Sequence, residues 1–239
     1  MCLYDKELSQ LETSFESRLA AVETRIQNAV ERSGRTRSDV TLVAVSKKFS
    51  AEHLKRAYQA GLRTFGENYV QEFADKKLAL TDLTAARFHL IGHLQSNKAR
   101  TACELFDAIQ TVDSVKLLKR VNAAATELGR NLEILIEIKL SGEAAKAGTD
   151  TSAVPEILKE ASRCGSVSVL GFMTMPPWSE DAEASRPYFR QLKQLALRYD
   201  LKHLSMGMSN DLEVAIEEGA TMVRVGTALF GPRPKPVVE

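Results

Sequence analysis

The chain has 239 residues, with 32 Lys and Arg against 31 Asp and Glu for a formal net charge of +1, 44% hydrophobic and 26% charged residues. That balance argues against a nucleic-acid binder held mainly by phosphate contacts, and the composition is globular, not disordered. The length allows one or two domains and a core that needs no staples.

The N-terminus, MCLYDKELSQLETSFE, is acidic and polar where a signal peptide needs a basic start and an apolar run. Leu8, Leu11, Phe15, Leu19, Val22, Ile26 and Val30 are spaced by three or four, one stripe of an amphipathic helix over residues 5–33. Asp5 suits its start and Gly34 its end. Packing on the body of the domain is favoured over a coiled coil, since fewer than four heptads are present.

After Gly34 short Val- and Ile-rich runs alternate with helical stretches. Strands are expected at Thr41–Ser46, Thr64–Gly66, Arg87–Ile91, Ala108–Thr111, Leu132–Lys139, Val167–Met173, His203–Ser205 and Thr221–Val225. Helices are expected to start near Ala51, Asn68, Asn97, Ser114, Thr151, Asp181 and Ser209, with a closing turn at Thr227–Gly231. Several strands, such as VTLVAV and LEILIEI, are apolar at nearly every position, the pattern of parallel strands covered on both faces. Eight βα units in roughly 200 residues fit one (β/α)8 TIM barrel better than an open doubly wound sheet, and no G-x-G-x-x-G follows the first strand. The expected organisation is a single domain over residues 1–239, with the helix at 5–33 and the barrel at 40–231.

Cys2, Cys103 and Cys164 form no C-x-x-C pair, so neither a disulfide framework nor a zinc ribbon is indicated. No apolar stretch approaches the ~18 residues of a membrane span. A reduced, cytoplasmic protein is expected.

Chemistry in such a barrel gathers at the C-terminal ends of the strands. The first strand ends in Ser46-Lys47-Lys48 and the second in Gly66-Glu67-Asn68; the third carries His89 and leads to His93; the fifth leads into Ser141-Gly142-Glu143. The seventh leads into Met206-Gly207-Met208-Ser209-Asn210, and the eighth contains Arg224 and ends in Gly226-Thr227. Loops after strands seven and eight commonly bind phosphate. Ser209, as an N-cap with its hydroxyl, Gly226, which admits an anion close to the backbone, and the Thr227 hydroxyl together favour an anion site there. Arg224, inside an apolar run, must meet an acid, carbonyls or a ligand; an ion pair with Glu137 or Glu67 is the structural alternative. Lys47, near apolar walls and a cation, would lose some preference for its charged form, and a neutral amine forms a Schiff base with an aldehyde. Alternation puts Lys47 and Lys48 on opposite faces, but both faces are apolar, so periodicity does not choose between them. His89 and His93 have no evident third ligand, so no metal is expected. Pro176-Pro177-Trp178 suggests a rim of the site.

The segments AVSKKF, TFGENYVQE, FHLIGHLQSNKAR, VLGFMTMPP and LSMGMSNDLEVAIEEGATMVRVGTALFG resemble the pyridoxal phosphate homeostasis proteins from about Val40 to Gly231. Those proteins are similar to the N-terminal barrel of alanine racemase, the fold-type III class of pyridoxal enzymes. The resemblance implies that Lys47 carries pyridoxal 5'-phosphate (PLP) as a Schiff base. It implies that Ser209, Gly226 and Thr227 hold the phosphate, that Arg224 faces the pyridine nitrogen, and that Asn68 and His89 lie near the cofactor. Lys48-Phe49-Ser50 departs from the pattern, where many members carry a further basic residue and a proline.

An always-charged arginine disfavours protonation of the ring nitrogen and weakens the ring as an electron sink. The second base of the related racemases comes, by resemblance, from an added β-domain, for which the chain ending at Glu239 is expected to leave no room. The expectation is therefore a monomeric PLP carrier in PLP and amino-acid homeostasis, with little or no turnover and PLP-dependent apo-enzymes as partners. The alternatives are a small PLP-dependent amino-acid racemase with Lys47 as base, and a barrel enzyme acting on a phosphorylated substrate without PLP.

Overall fold

The computed structural model describes residues 14–141 and 147–232. Among them are eight strands: β1 Thr41–Val45, β2 Thr64–Glu67, β3 Arg87–Leu90, β4 Ala108–Val112, β5 Leu132–Glu137, β6 Val167–Met173, β7 His203–Ser205 and β8 Met222–Val225. They pair in parallel in chain order, and β8 pairs back onto β1 with Val43 opposite Arg224, closing the barrel. The helices are α1 Phe15–Arg32, α2 Ala51–Gln59, α3 Val70–Lys77, α4 Ala99–Leu105, α5 Val115–Glu127, α6 Val154–Ala161, α7 Arg186–Arg198, α8 Leu212–Glu217 and α9 Thr227–Phe230.

The near-continuous apolar runs have a simple cause. Strand residues of one parity, among them Val43, Leu135, Met173 and Met222, fill the barrel interior. The other parity, including Leu42, Ala44, Phe65, Phe88, Ile134, Phe172 and Val223, joins the larger core with the helices. Both faces are covered, so neither tolerates an exposed polar pattern. Gly171 is demanded by packing: a Cβ there would lie 1.7 Å from the His203 carbonyl oxygen on β7. Beside it the β5–β6 register shifts between Ile134 and Leu135, as at a β-bulge.

The additional helix is capped by Ser14, whose hydroxyl accepts from Ser17 N–H (3.1 Å), and Gly34 follows its end at φ 66°. The expected cap Asp5 and the stripe residues Leu8 and Leu11 lie outside the described residues. Of the described stripe residues, Phe15, Val22, Ile26 and Val30 are buried within the molecule, packed on the body of the domain. Arg25 donates twice to the Glu213 carboxylate of α8, at 2.5 and 2.7 Å. Arg18 Nε donates to the Leu229 carbonyl of α9 (2.9 Å), and Phe15 meets Phe230 with centroids 5.5 Å apart. The helix thus braces the last two units of the barrel. No helix among the described residues is long and apolar enough to cross a membrane.

Candidate active site at the C-terminal mouth

A cleft of about 310 Å³ opens at the C-terminal ends of the strands, and Lys47, Asn68, Ser209, Arg224, Gly226 and Thr227 all line it. Pro177 and Trp178, from the loop after β6, form part of its wall. The structure places the two lysines apart, in the turn after β1. Val43 lies in the inner cluster, and Val45 and Lys47 both line the cleft. Lys48 is exposed at φ 65°.

Ser209 does not cap α8; Asp211 occupies that N-cap position. The Ser209 hydroxyl instead accepts from Ala228 N–H in α9 (3.3 Å), so the loop after β7 is tied to the turn after β8. Asp211 stiffens the same loop. Its carboxylate accepts from Met208 N–H (2.7 Å) and from the Ser185 hydroxyl (2.8 Å). Asn68 contributes a buried Oδ1 without a hydrogen-bond partner among the described residues.

Arg224 is 4% exposed and makes neither of the expected ion pairs. Its guanidinium donates to the Ser205 hydroxyl (2.7 Å) and to the Thr174 carbonyl (2.9 Å). Burial lowers its pKa to about 10, with the charges of Asp211 and Glu137 acting the other way, so it stays charged at neutral pH. Glu67 is committed elsewhere, to Lys76 and Ser46. Glu137 is pushed up to about 7, first by burial and then by Asp113, against the pull of Arg224.

His89 is not brought to the cleft. It sits deeper in the barrel, beside a void of about 10 Å³ that Gln110, Glu133 and Met222 also line. Its Nδ1 accepts from Gln110 Nε2 (2.9 Å), assigning the ring proton to Nε2, which is buried without a partner among the described residues. Burial, then the Arg87 charge, lowers its pKa to about 4, so the ring is neutral through the physiological range. Gln110 Oε1 accepts from the Ser205 hydroxyl (2.6 Å), so a polar chain runs Arg224–Ser205–Gln110–His89 across the interior. Gln110 and Ser205 were not anticipated as support for the site. Their signal was available: each is a polar residue in a strand buried at neighbouring positions.

The sequence profile of alanine racemase N-terminal domains matches residues 17–234. A pyridoxal phosphate homeostasis protein of Aquifex aeolicus (strain VF5) is 41% identical over 222 residues, covering 90% of this chain and 97% of its own. The chain belongs to the pyridoxal phosphate homeostasis protein family. A solved structure that this family member resembles is PipY of Synechococcus elongatus PCC7942 with PLP bound, at 39% identity and TM-score 0.82, covering 91% of this chain and 100% of that one. An alanine racemase of Clostridium difficile 630 superposes with TM-score 0.68 at 14% identity, over 90% of this chain and 56% of that one, a likeness of fold alone.

Proposed function

We propose that the cleft holds PLP, with Lys47 as the amine that carries it, and that the protein serves intracellular PLP and amino-acid homeostasis as a carrier. The observation that supports this most directly is the convergence of Lys47 from the end of β1 with Ser209, Gly226 and Thr227 from beyond β7 and β8 in one cleft. PLP offers an aldehyde, a phosphate and a pyridine ring; the cleft offers an amine, two hydroxyls beside a glycine backbone, a fixed guanidinium and the unpartnered amide oxygen of Asn68. These donor sets match. When bound, the cofactor supplies an electrophilic aldehyde carbon that condenses with an amine and releases water.

Ser209, Gly226 and Thr227 hold the phosphate, and Asn68 lies at the cofactor's edge. Arg224 faces the pyridine nitrogen and, being charged, keeps a proton off it. His89 serves at one remove, through Gln110 and Ser205. Little or no turnover is expected, because a charged Arg224 at the ring nitrogen weakens the ring as an electron sink. The protein acts in the cytoplasm as a monomer, and passes PLP to apo-enzymes that depend on it. Unpaired Cys103 and Cys164 suit a reducing compartment.

The test is the absorption spectrum of the protein mixed with PLP, before and after borohydride, followed by peptide mapping. A visible band that reduction converts to a stable adduct on Lys47 is expected; Lys47→Ala abolishes it and Lys48→Ala keeps it. A protein that stays colourless refutes the proposal. Racemisation of alanine or serine at ~1 s⁻¹ or faster would favour the racemase reading instead.

A further inference from the structure

The turn that presents Lys47 is held from behind by charged side chains of the second βα unit. The Ser46 carbonyl accepts from Phe49 N–H (3.1 Å), closing a four-residue turn whose third residue, Lys48, has φ 65°. That is a left-handed backbone which residues with a Cβ adopt reluctantly, and glycine would be the ordinary choice there. Lys48 N–H donates to Glu72 Oε1 on α3 at 2.6 Å. Lys76, one turn further along α3, donates from Nζ to Glu72 Oε1 (2.9 Å), Glu67 Oε1 (2.6 Å) and the Ser46 carbonyl (3.2 Å). The Ser46 hydroxyl also donates to Glu67 Oε1 (2.8 Å). The carbonyl of the peptide preceding Lys47 and the N–H of the peptide following it therefore both end in one cluster. Glu67 is fully buried, where burial pushes its carboxyl up against the opposing pull of Lys76. None of the three charged residues lines the cleft.

We infer that Glu67, Glu72 and Lys76 are positioning residues for Lys47: they fix the two peptide planes that flank it and so aim its amine into the cleft. The inference rests on Lys47 being the cofactor-carrying amine. None of the three side chains reaches the cleft, and Glu72, unlike Glu67 beside Asn68, is tied to it through the turn.

Glu72 gives the cleanest test, because Lys76→Met would leave the Glu67 carboxylate buried without its cation and could prevent folding. Three variants are compared with the wild-type protein: Glu72→Ala, Glu72→Gln, and Glu72→Ala combined with Lys48→Gly. Two quantities are read: amide hydrogen exchange at Lys48 in the cofactor-free protein, and the rate and pH midpoint of the visible band after mixing with PLP. Glu72→Ala should accelerate Lys48 exchange and slow band formation by about tenfold each, the scale of one lost charge-assisted hydrogen bond, and should shift the pH midpoint. Glu72→Gln keeps an acceptor oxygen and should recover most of the rate. Lys48→Gly in the Glu72→Ala background should recover it as well, since glycine adopts the turn without the anchor. The inference is overturned if Glu72→Ala forms the band at the wild-type rate and midpoint, whether or not exchange at Lys48 changes. A wild-type protein that forms no band overturns the cofactor proposal instead, so the two failures are distinguishable.

Discussion

Gly226→Ala separates binding from folding. A Cβ at this position would have Val45 as its nearest neighbour throughout, with Cβ at 3.4 Å, the carbonyl oxygen at 3.5 Å and Cγ1 at 3.7 Å. These are ordinary van der Waals distances, and φ is −112°, so neither a clash nor a left-handed backbone bars the methyl group. Loss of glycine's freedom in the unfolded chain would add about 0.4–1 kcal/mol of stability if the backbone stays as it is. Val45 and Gly226 both line the cleft, so the methyl group is added at its wall, against Val45. A phosphate held at the Gly226 backbone, as proposed, would lose its close approach there. Losing one charge-assisted hydrogen bond of ~1.5–3 kcal/mol corresponds to a PLP affinity lower by roughly 10–100-fold. The assay is a titration of cofactor-free wild-type and variant protein with PLP, with inorganic phosphate as competitor, beside a thermal melt. The variant should melt within a few degrees of the wild type, bind PLP more weakly and lose its sensitivity to phosphate. Pyridoxal without the phosphate should bind both proteins equally. If the variant matches the wild type in PLP affinity and phosphate competition, the anion does not sit at Gly226.

Glu137→Gln should remove a pH dependence of stability. A carboxyl raised from 4.5 to about 7 keeps its proton in the folded state after the unfolded chain has lost it. Stability therefore falls as pH rises from about 4.5 to 7, by on the order of 3 kcal/mol, and the variant should show a flatter profile in urea melts across that window and greater stability at pH 8. Ser205→Ala deprives Arg224 of one of its two acceptors and leaves Gln110 Oε1 without its donor. A loss of about 1–3 kcal/mol in denaturant melts is expected, together with a shifted absorption maximum of bound PLP; an unchanged spectrum would show that the guanidinium is held adequately by Thr174. Ile26→Ala, at a fully buried position of α1, should cost about 2–5 kcal/mol, measured the same way. A loss below about 0.5 kcal/mol would mean that α1 is not part of the folding unit.

Strands were the most legible elements, because burial on both faces leaves an apolar run bounded by polar residues. β6 and β7 match their expected bounds, Val167–Met173 and His203–Ser205. β5 ends at Glu137, two residues before the expected Lys139, since Ile138 makes an isolated bridge with Thr149 instead. Helix starts blurred where a 3-10 turn precedes the α-helix, as at Ser96–Lys98, Thr151–Ala153 and Ala182–Ser185. There the apolar period begins after the chain has already turned.

The site was legible in its composition and not in its wiring. Lys47, Ser209, Arg224, Gly226 and Thr227 stand out because each follows or interrupts a strand end where barrels place chemistry. Which lysine lines the cleft is decided in the turn after β1, and two apolar faces carry no mark of it. The same ambiguity made Glu67 a candidate partner for Arg224. In the closed barrel Gly66 meets Val43 and Ile91 inside, so Glu67 turns outward to Lys76. Arg224 is met by a hydroxyl from β7 and a carbonyl after β6, a choice set by register across three strands, to which local pattern is blind. What the sequence does carry is the set of violations. Arg224, Gln110, His89 and Glu137 are buried polar residues in strands built mainly of apolar ones, and each costs desolvation that packing alone would not select. Arg224, Gln110 and His89 lie on one hydrogen-bonded chain that ends at the cleft, and Glu137 feels the Arg224 charge from the top of β5. The interior of the barrel is therefore polar where it has to hold one guanidinium still, and apolar in the cluster of Val43, Leu135, Met173 and Met222 beside it.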